Sequence, residues 1–264
     1  MSVHNIVSLT SDFGAQDPFA GIMKGVILGI NPSTKIVDIT HSIEAHNLLQ
    51  CYYILKSSYP YFPPGTVHCA VVDPGVGTER RPLAVSCDGH YFVGPDNGIL
   101  SFAFHKKSII IELTDSRFFL PKKGNTFHGR DIFAPVSAEL AKGTPIEKMG
   151  KPIHDPVRIS TPEPILSAER IMGEVIYIDR FGNLTTNISL SMLEEFVGKD
   201  SFSKMIFEME GNKGRFTENY ESGEPDKPGA LINSWENMEI FLNQGRAEKT
   251  LGVSVGDPVT VIRN

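Results

Sequence analysis

The feature that most constrains the fold is the alternation, over the first 150 residues, of short apolar runs with helix-length amphipathic stretches. Residues 5–10, 35–39 and 66–72 read as strands. Between the first two, Phe19, Ile22, Met23, Val26, Ile27 and Ile30 recur at helical spacing. Asp17-Pro18 reads as the N-cap and first residue of that helix, and Asn31-Pro32 stops it. Residues 46–59 form the next helical stretch, 99–104 a short one, and 131–142 a third, with Gly143 beyond it. Strand-like runs at 83–87, 90–93 and 109–113 separate them. This order predicts an α/β domain whose mostly parallel sheet is covered on both faces.

The strands end on carboxylates: Asp12, Asp38, Asp73 and Asp96. The carboxyl ends of parallel strands share one edge, where ligands bind, so some of these groups are expected to converge. Asp73 stands out, because the buried-looking strand before it runs into a Pro-Gly-Val-Gly turn followed by Arg80 and Arg81. A carboxylate and guanidiniums at a sheet mouth suit a small polar ligand; equally, the Asp can cap its own turn while the arginines stay solvated. Asp12, in Thr-Ser-Asp-Phe-Gly, has the lone pairs to take both hydroxyls of a ribose diol, or to stabilise its turn. His128 lies in a tight turn just before a helix, where an imidazole is either functional or structural. Arg130 and Asp131 read as helix-start electrostatics.

After Gly150 the texture changes. Residues 151–167 hold four prolines and no periodic pattern, so the α/β domain is placed at 1–155, a linker at 156–167 and a second domain at 168–264. There the runs are short and β-like, at 173–178, 184–188, 205–210, 230–233, 238–242 and 259–262, with one helix at 189–196. They predict a small antiparallel barrel or sandwich, and the polar stretch 212–227 reads as a mobile loop. In Ile178-Asp-Arg-Phe-Gly-Asn183, Phe181 suits stacking on a heterocycle and Asn183 suits reading a base edge, although the segment is also a good turn.

Several classes are excluded. A net charge of −6 without a basic block argues against nucleic acid or anionic membrane. Cys51, Cys69 and Cys87 lack CxxC spacing and read as core residues in a reducing compartment. No apolar run reaches membrane length and no leader precedes the first strand, which predicts a cytoplasmic protein. Gly75-Val-Gly-Thr lacks the Gly-Lys-Ser/Thr of a phosphate loop. No HxH or HExxH spacing supports a catalytic metal, so neither metal nor cofactor is expected.

Six motifs in order carry a resemblance: Thr10-Ser-Asp-Phe-Gly14, Asp38-Ile-Thr-His-Ser42, Val72-Asp-Pro-Gly-Val-Gly77, Gly94-Pro-Asp-Asn-Gly98, Phe127-His-Gly-Arg-Asp131 and Ile178-Asp-Arg-Phe-Gly-Asn183. Together they resemble the S-adenosyl-L-methionine (SAM) hydrolase family, the SAM hydroxide adenosyltransferases, related to SAM-dependent fluorinase and chlorinase. The resemblance implies an α/β domain joined to a β-barrel, assembly as a homotrimer with SAM held between subunits, and metal-free cleavage of SAM by water to adenosine and methionine. It implies an Asp-Arg-His triad at Asp73, Arg80 and His128, with Arg80 chosen over Arg81 by spacing. It places Asp12 on the ribose diol, Asp179 on the methionine ammonium, and Phe181 and Asn183 on adenine. Ser234 falls near the methionine end, Tyr61 beside the ribose and His46 in the pocket. Glu236 departs from the family's usual Gly or Asp. The alternatives are a SAM-dependent halogenase, a SAM- or adenosine-binding protein without turnover, and, ranked last, a metal-dependent phosphoesterase.

Overall fold

The computed structural model describes residues 5–121, 124–198 and 202–264; the leader-free start read at residues 1–4 lies outside them. The chain divides into two compact units, residues 1–160 and 161–264. The first holds β1 (Ile6–Ser11), α1 (Phe19–Ile30), β2 (Lys35–Thr40), α2 (Leu48–Ser58), β3 (Val67–Val71), β4 (Pro82–Cys87), β5 (His90–Pro95), β6 (Ile109–Leu113), α3 (Ala134–Ala141) and β7 (Gly150–Pro152). β3 is buried along its whole length, as a central strand covered on both faces must be. α1 buries Ala20, Met23 and Ile27, one stripe of its surface. α2 is capped by Asn47, whose side chain accepts from the Gln50 N–H. At α1 the expected cap differs: Pro18 itself takes the N-cap position and no side chain caps the helix. The short helix expected at 99–104 is a single 3₁₀ turn, Ser101–Ala103.

The seven-stranded sheet runs β2-β1-β3-β5-β4-β6-β7. β2, β1, β3 and β5 pair in parallel, whereas β4, β6 and β7 join antiparallel. The sheet is therefore mixed, which corrects the mostly parallel expectation. The cause is Asp88-Gly89, two residues between β4 and β5. Both take positive φ, 49° and 80°. A two-residue loop of this kind makes a hairpin and cannot make a crossover.

The second unit holds β8 (Ile165–Leu166), β9 (Arg170–Ile178), β10 (Leu184–Ser189), α4 (Leu190–Val197), β11 (Met205–Met209), β12 (Asn212–Arg215), β13 (Pro228–Ile232), β14 (Asn237–Leu242), α5 (Ala247–Leu251) and β15 (Pro258–Arg263). The strands pair antiparallel in the order β12-β11-β15-β9-β10-β14-β13, with β8 on β9. A bridge from Phe216 to Ala230 brings the β12 end onto β13, so the sheet is nearly closed. Gly214 permits that approach, since a Cβ there would lie 2.2 Å from the Pro228 carbonyl. Residues 212–215, expected within a mobile loop, are thus a barrel strand. Alternating burial in β11 marks a core of Ile171, Val175, Phe207, Met238 and Ile240.

In the first unit, a chain of polar groups crosses the apolar interior. Ser8 Oγ lies 2.7 Å from His68 Nδ1, and His68 Nε2 lies 3.2 Å from His90 Nδ1. His68 is fully buried and stacks on Phe92. Burial, with His90 beside it, pushes the His68 pKa down from 6.5 to about 3. The unfolded chain therefore takes up a proton below pH 6.5 that the folded chain refuses until about pH 3. Stability is full above that range and falls as pH drops into it. From pH 7 to 5 this group alone should remove about 2 kcal/mol. Urea titrations of His68→Gln at both pH values should show that increment gone; an unchanged difference between the two pH values would refute it.

Candidate active site

The site grows from a jump in topology. β3 ends at Val71 and β4 returns antiparallel, but β5 occupies the place between them. The connection, residues 72–81, must arch across the end of β5. The Gly94-Pro-Asp-Asn-Gly98 turn braces that arch. Asp96 N–H donates to the Arg81 carbonyl at 2.9 Å, and Asn97 Nδ2 donates to the Val72 carbonyl at 2.8 Å. Arg81 Nε donates to Asp96 Oδ2 at 2.8 Å, and Arg81 Nη1 to Asp155 at 2.8 Å. Asp96 Oδ1 also accepts from Val157 N–H. Asp96 and Arg81 thus fasten the arch and the segment 155–157.

Arg80 turns the other way. Its Nε donates to Asp73 Oδ1 at 2.8 Å, and its Nη2 donates to Asp73 Oδ2. The same Nη2 lies 2.7 Å from His128 Nδ1. A guanidinium has only donors, so Nδ1 accepts and the ring proton of the neutral imidazole sits on Nε2. The guanidinium lies over the Phe133 ring, 5.2 Å from its centroid. The Arg80 and Asp73 side chains are 9% and 6% exposed, so the pair is largely withdrawn from water. Gly77 allows the turn: its φ is 81°, and a Cβ there would sit 2.8 Å from the Asn125 carbonyl. His128 stands at the head of a π-helical turn, Gly129–Phe133, closed by Ala134 N–H donating to the Gly129 carbonyl. α3 then continues the chain. Single π turns occur often at functional sites. As expected, Arg130 and Asp131 pair with each other at the helix start, Nε to Oδ1 at 2.7 Å.

Asp12, Asp73, His128 and His46 line one cleft of about 310 Å³. His46, at φ 67°, donates its N–H to Asp12 Oδ2 at 3.0 Å. Behind Asp12, Ser11 Oγ lies 2.7 Å from His41 Nδ1, and His41 Nε2 lies 3.1 Å from Asp38 Oδ1. Lys24 Nζ donates to Asp38 Oδ2 at 2.5 Å. Burial pushes the Asp38 carboxyl up, but the hydrogen bonds and charges of Lys24 and His41 outweigh it and hold it below the usual range. Of the four strand-end carboxylates, Asp12 and Asp73 therefore line the cleft, Asp73 paired with Arg80, while Asp38 and Asp96 pair with Lys24 and Arg81 outside it. Tyr61 is 77% exposed and does not line this cleft.

In the second unit, Asp179 and Ser234 line a hollow of about 440 Å³ with Tyr220 and Glu239. Asp179 Oδ1 accepts from the N–H groups of Phe181 and Asn183 at 2.8 and 2.9 Å, and its Oδ2 accepts from Asn183 Nδ2 at 3.2 Å. Phe181 is 74% exposed at the tip of this turn and Asn183 is buried within it. Asn233 Oδ1 accepts from the N–H groups of Trp235 and Asn237 and so shapes the turn that carries Ser234. Tyr220 donates to the buried Glu239 at 2.7 Å, and burial followed by that contact raises the phenol beyond its ordinary range.

Sequence reasoning missed Asp17, Phe13, Phe19 and Phe127 as cleft residues. Asp17 looked like a helix cap. Phe19 looked like helix core, yet it is 40% exposed. The three phenylalanine rings meet at centroid distances of 5.3–5.9 Å and form an apolar wall. Nothing in their spacing distinguishes a cleft wall from a core.

A profile of the SAM hydroxide adenosyltransferase N-terminal domain matches residues 7–150, and one of the C-terminal domain matches residues 173–260. The chain is 35% identical to the (R)-S-adenosyl-L-methionine hydrolase of Methanocaldococcus jannaschii, covering 98% of this chain and 96% of that protein. It is 33% identical to the (R)-S-adenosyl-L-methionine hydrolase of Salinispora tropica, with 97% of each covered. A fluorinase of Actinoplanes is 28% identical over 72% of this chain and 74% of its own length. The crystal structure of a conserved protein from Thermotoga maritima superposes with a TM-score of 0.90 at 32% identity, covering 98% of this chain and 100% of that one.

The geometry of the arch generates one prediction. Gly77→Ala should cost about 1–3 kcal/mol, from both the left-handed backbone and the collision with Asn125. Gly124→Ala, with open space at its Cβ, should change stability by less than about 0.5 kcal/mol. Equal melting temperatures for the two variants would show that the arch does not need the glycine.

Proposed function

The chain belongs to the SAM hydroxide adenosyltransferase family, and on that premise we propose that it hydrolyses S-adenosyl-L-methionine to adenosine and L-methionine. Water displaces the thioether at the ribose 5′ carbon: the C–O bond forms as the C–S bond breaks, and the sulfonium pair returns to sulfur. One proton is released per turnover, balancing the lost sulfonium charge. The leaving group departs neutral, so no general acid is required. The protein's task is to hold water behind the C–S bond. The observation that carries this reading is the Asp73–Arg80–His128 contact, in which Asp73 and His128 line the cleft and Arg80 lies behind them.

In this mechanism Arg80 and His128 hold the attacking water, and the Arg80 charge favours hydroxide character. Asp73 grips Arg80 through both oxygens, and Arg80 in turn sets the His128 ring so that Nε2–H is a donor. Asp12 takes the ribose diol. Asp179 takes the methionine ammonium: three of its roughly four lone-pair sites are filled by its own turn, and one is left. Phe181 stacks on adenine and Asn183 reads its edge, with Ser234 at the methionine end and Tyr61 beside the ribose. The reaction needs no metal and no cofactor. Self-association as a homotrimer, substrate held where subunits meet, and a cytoplasmic location belong to the same proposal. Among the described residues, no helix is long and apolar enough to cross a membrane. The related hydrolases are named for the (R) sulfonium epimer, and the same epimer is proposed here.

His128→Ala and Arg80→Lys should each lower turnover of SAM at least about 100-fold, while SAM binding by calorimetry stays within a few-fold. Free adenosine and one proton per turnover are the expected products. Full activity in both variants would overturn the triad. A 5′-halo-adenosine formed in chloride or fluoride would assign the chain to the halogenating branch instead.

A further inference from the structure

The edge of the first sheet opposite the cleft carries a second chemical cluster. β3 and β5 run in parallel, with Val67 beside Tyr91. The β4–β5 hairpin tip therefore lies where β3 begins, while Asp73 follows its end. A five-residue strand separates the two edges by roughly 16 Å. At this far edge Cys87 ends β4, and Asp88 is the first residue of the tip. β6 is antiparallel to β4, with Ser86 beside Ile109, so the turn leading into β6 comes to the same place. That turn carries His105.

The thiol of Cys87, a carboxylate oxygen of Asp88 and a ring nitrogen of His105 all lie within 4.8 Å of one another. Tetrahedral zinc at its usual bond lengths places sulfur, nitrogen and oxygen ligands about 3.3–3.8 Å apart, which small side-chain rotations supply. We propose that Cys87, Asp88 and His105 form a binding site for a thiophilic divalent cation, zinc foremost, with a fourth position open to water.

The donor set selects the metal. Sulfur, imidazole and carboxylate together suit zinc, whereas calcium and magnesium require oxygen donors. The three groups are held in place before any ion arrives. Asp88 and Gly89 lock the tip in positive φ. His105 N–H donates to Ser108 Oγ at 3.0 Å, and Ser108 Oγ donates to the Ala103 carbonyl at 2.7 Å. The Ser108 hydroxyl thereby closes the turn that presents His105. Such second-layer contacts orient metal ligands. Cys87 is 6% exposed, and Asp88 and His105 are exposed, so an ion reaches the thiol from solvent. The site has no CxxC signature because its ligands come from two segments eighteen residues apart.

Binding displaces the Cys87 proton to solvent and forms the sulfur–metal bond, so affinity rises with pH. Burial first, and Asp88 after it, push this thiol up, against the opposing Ser108 hydrogen bond. Loading is therefore best measured near pH 8. The other two cysteines are inert controls: Cys51 and Cys69 are buried to 0–1% exposure, and burial pushes both thiols up to about 12.

The full-length protein is titrated with Co²⁺ and then with Zn²⁺. The expected result is one equivalent per chain, a thiolate-to-cobalt charge-transfer band in the near ultraviolet, and its displacement by Zn²⁺. Cys87→Ser should abolish the band. His105→Ala and Asp88→Asn should each weaken Zn²⁺ binding at least about tenfold; Asn tolerates the left-handed backbone at position 88, so that variant keeps the hairpin. SAM turnover should be unchanged in all three, because the site lies at the other sheet edge. A wild-type protein without the band, or Zn²⁺ affinity equal in wild type and all three variants, would overturn the proposal whether or not the chain hydrolyses SAM.

Discussion

The bidentate pair between Asp73 and Arg80 is the contact on which the cleft depends. Withdrawing both charges from water is costly, and their attraction offsets that cost only when the geometry is good. Removing one partner of such a buried pair typically costs about 3–5 kcal/mol, because the other charge is stranded. The protein meets the geometric demand through the arch between β3 and β4. Its feet are two strands separated by β5, and its turn bends at Gly77 against Asn125. Adjacent side chains in extended backbone point to opposite sides. Arg80 thus turns inward to Asp73, while Arg81 turns to Asp96 and Asp155 and braces the same arch from outside.

This division explains how much of the site could be read from the sequence. Asp12 and Asp73 were recognisable because each follows a strand of the parallel half of the sheet, and such strands deliver their ends to one edge. His128 could be placed in a turn before a helix, but its approach depends on the π turn at Gly129–Phe133. That one-residue widening leaves no periodic signal. Asp38 and Asp96 satisfied the same strand-end rule as Asp12 and Asp73, yet they are consumed by ion pairs. The rule identifies an edge; it does not say which carboxylates turn into the cleft, as Asp12 and Asp73 do, and which turn away, as Asp38 and Asp96 do. Spacing alone favoured Arg80 over Arg81, and the alternation of the chain supplies the physical reason.

The departures in the fold are also local in origin. Asp88-Gly89 is a strong hairpin signal, outweighed in the strand-and-helix pattern by its surroundings. It converts half of the expected parallel sheet to antiparallel and inserts β5 between β3 and β4. The same two residues therefore create the gap that the arch must span at one edge and present Cys87 and Asp88 at the other. In the second unit, the polar composition of residues 212–215 concealed a strand that pairs with β11 and leads into the near-closure of the barrel at Ala230. A short strand carrying charged side chains on its outer face has no hydrophobic period to detect.

The cleft of the first unit and the hollow of the second are built on opposite electrostatic plans. In the first unit the Asp73 carboxylate is saturated by a guanidinium, so it acts through Arg80. In the second, the Asp179 carboxylate is held by three N–H donors of its own turn and keeps acceptor capacity to spare. A carboxylate fixed by backbone donors needs no rearrangement to meet a cation, which lowers the ordering cost of binding. The same turn lifts Phe181 to its tip while burying Asn183, so one six-residue segment fixes a charge, a flat apolar face and an amide in mutual register. On the function proposed above, turn chemistry and ligand chemistry are therefore not competing readings of Asp179: the hydrogen bonds that make the turn also hold the carboxylate ready for a cation.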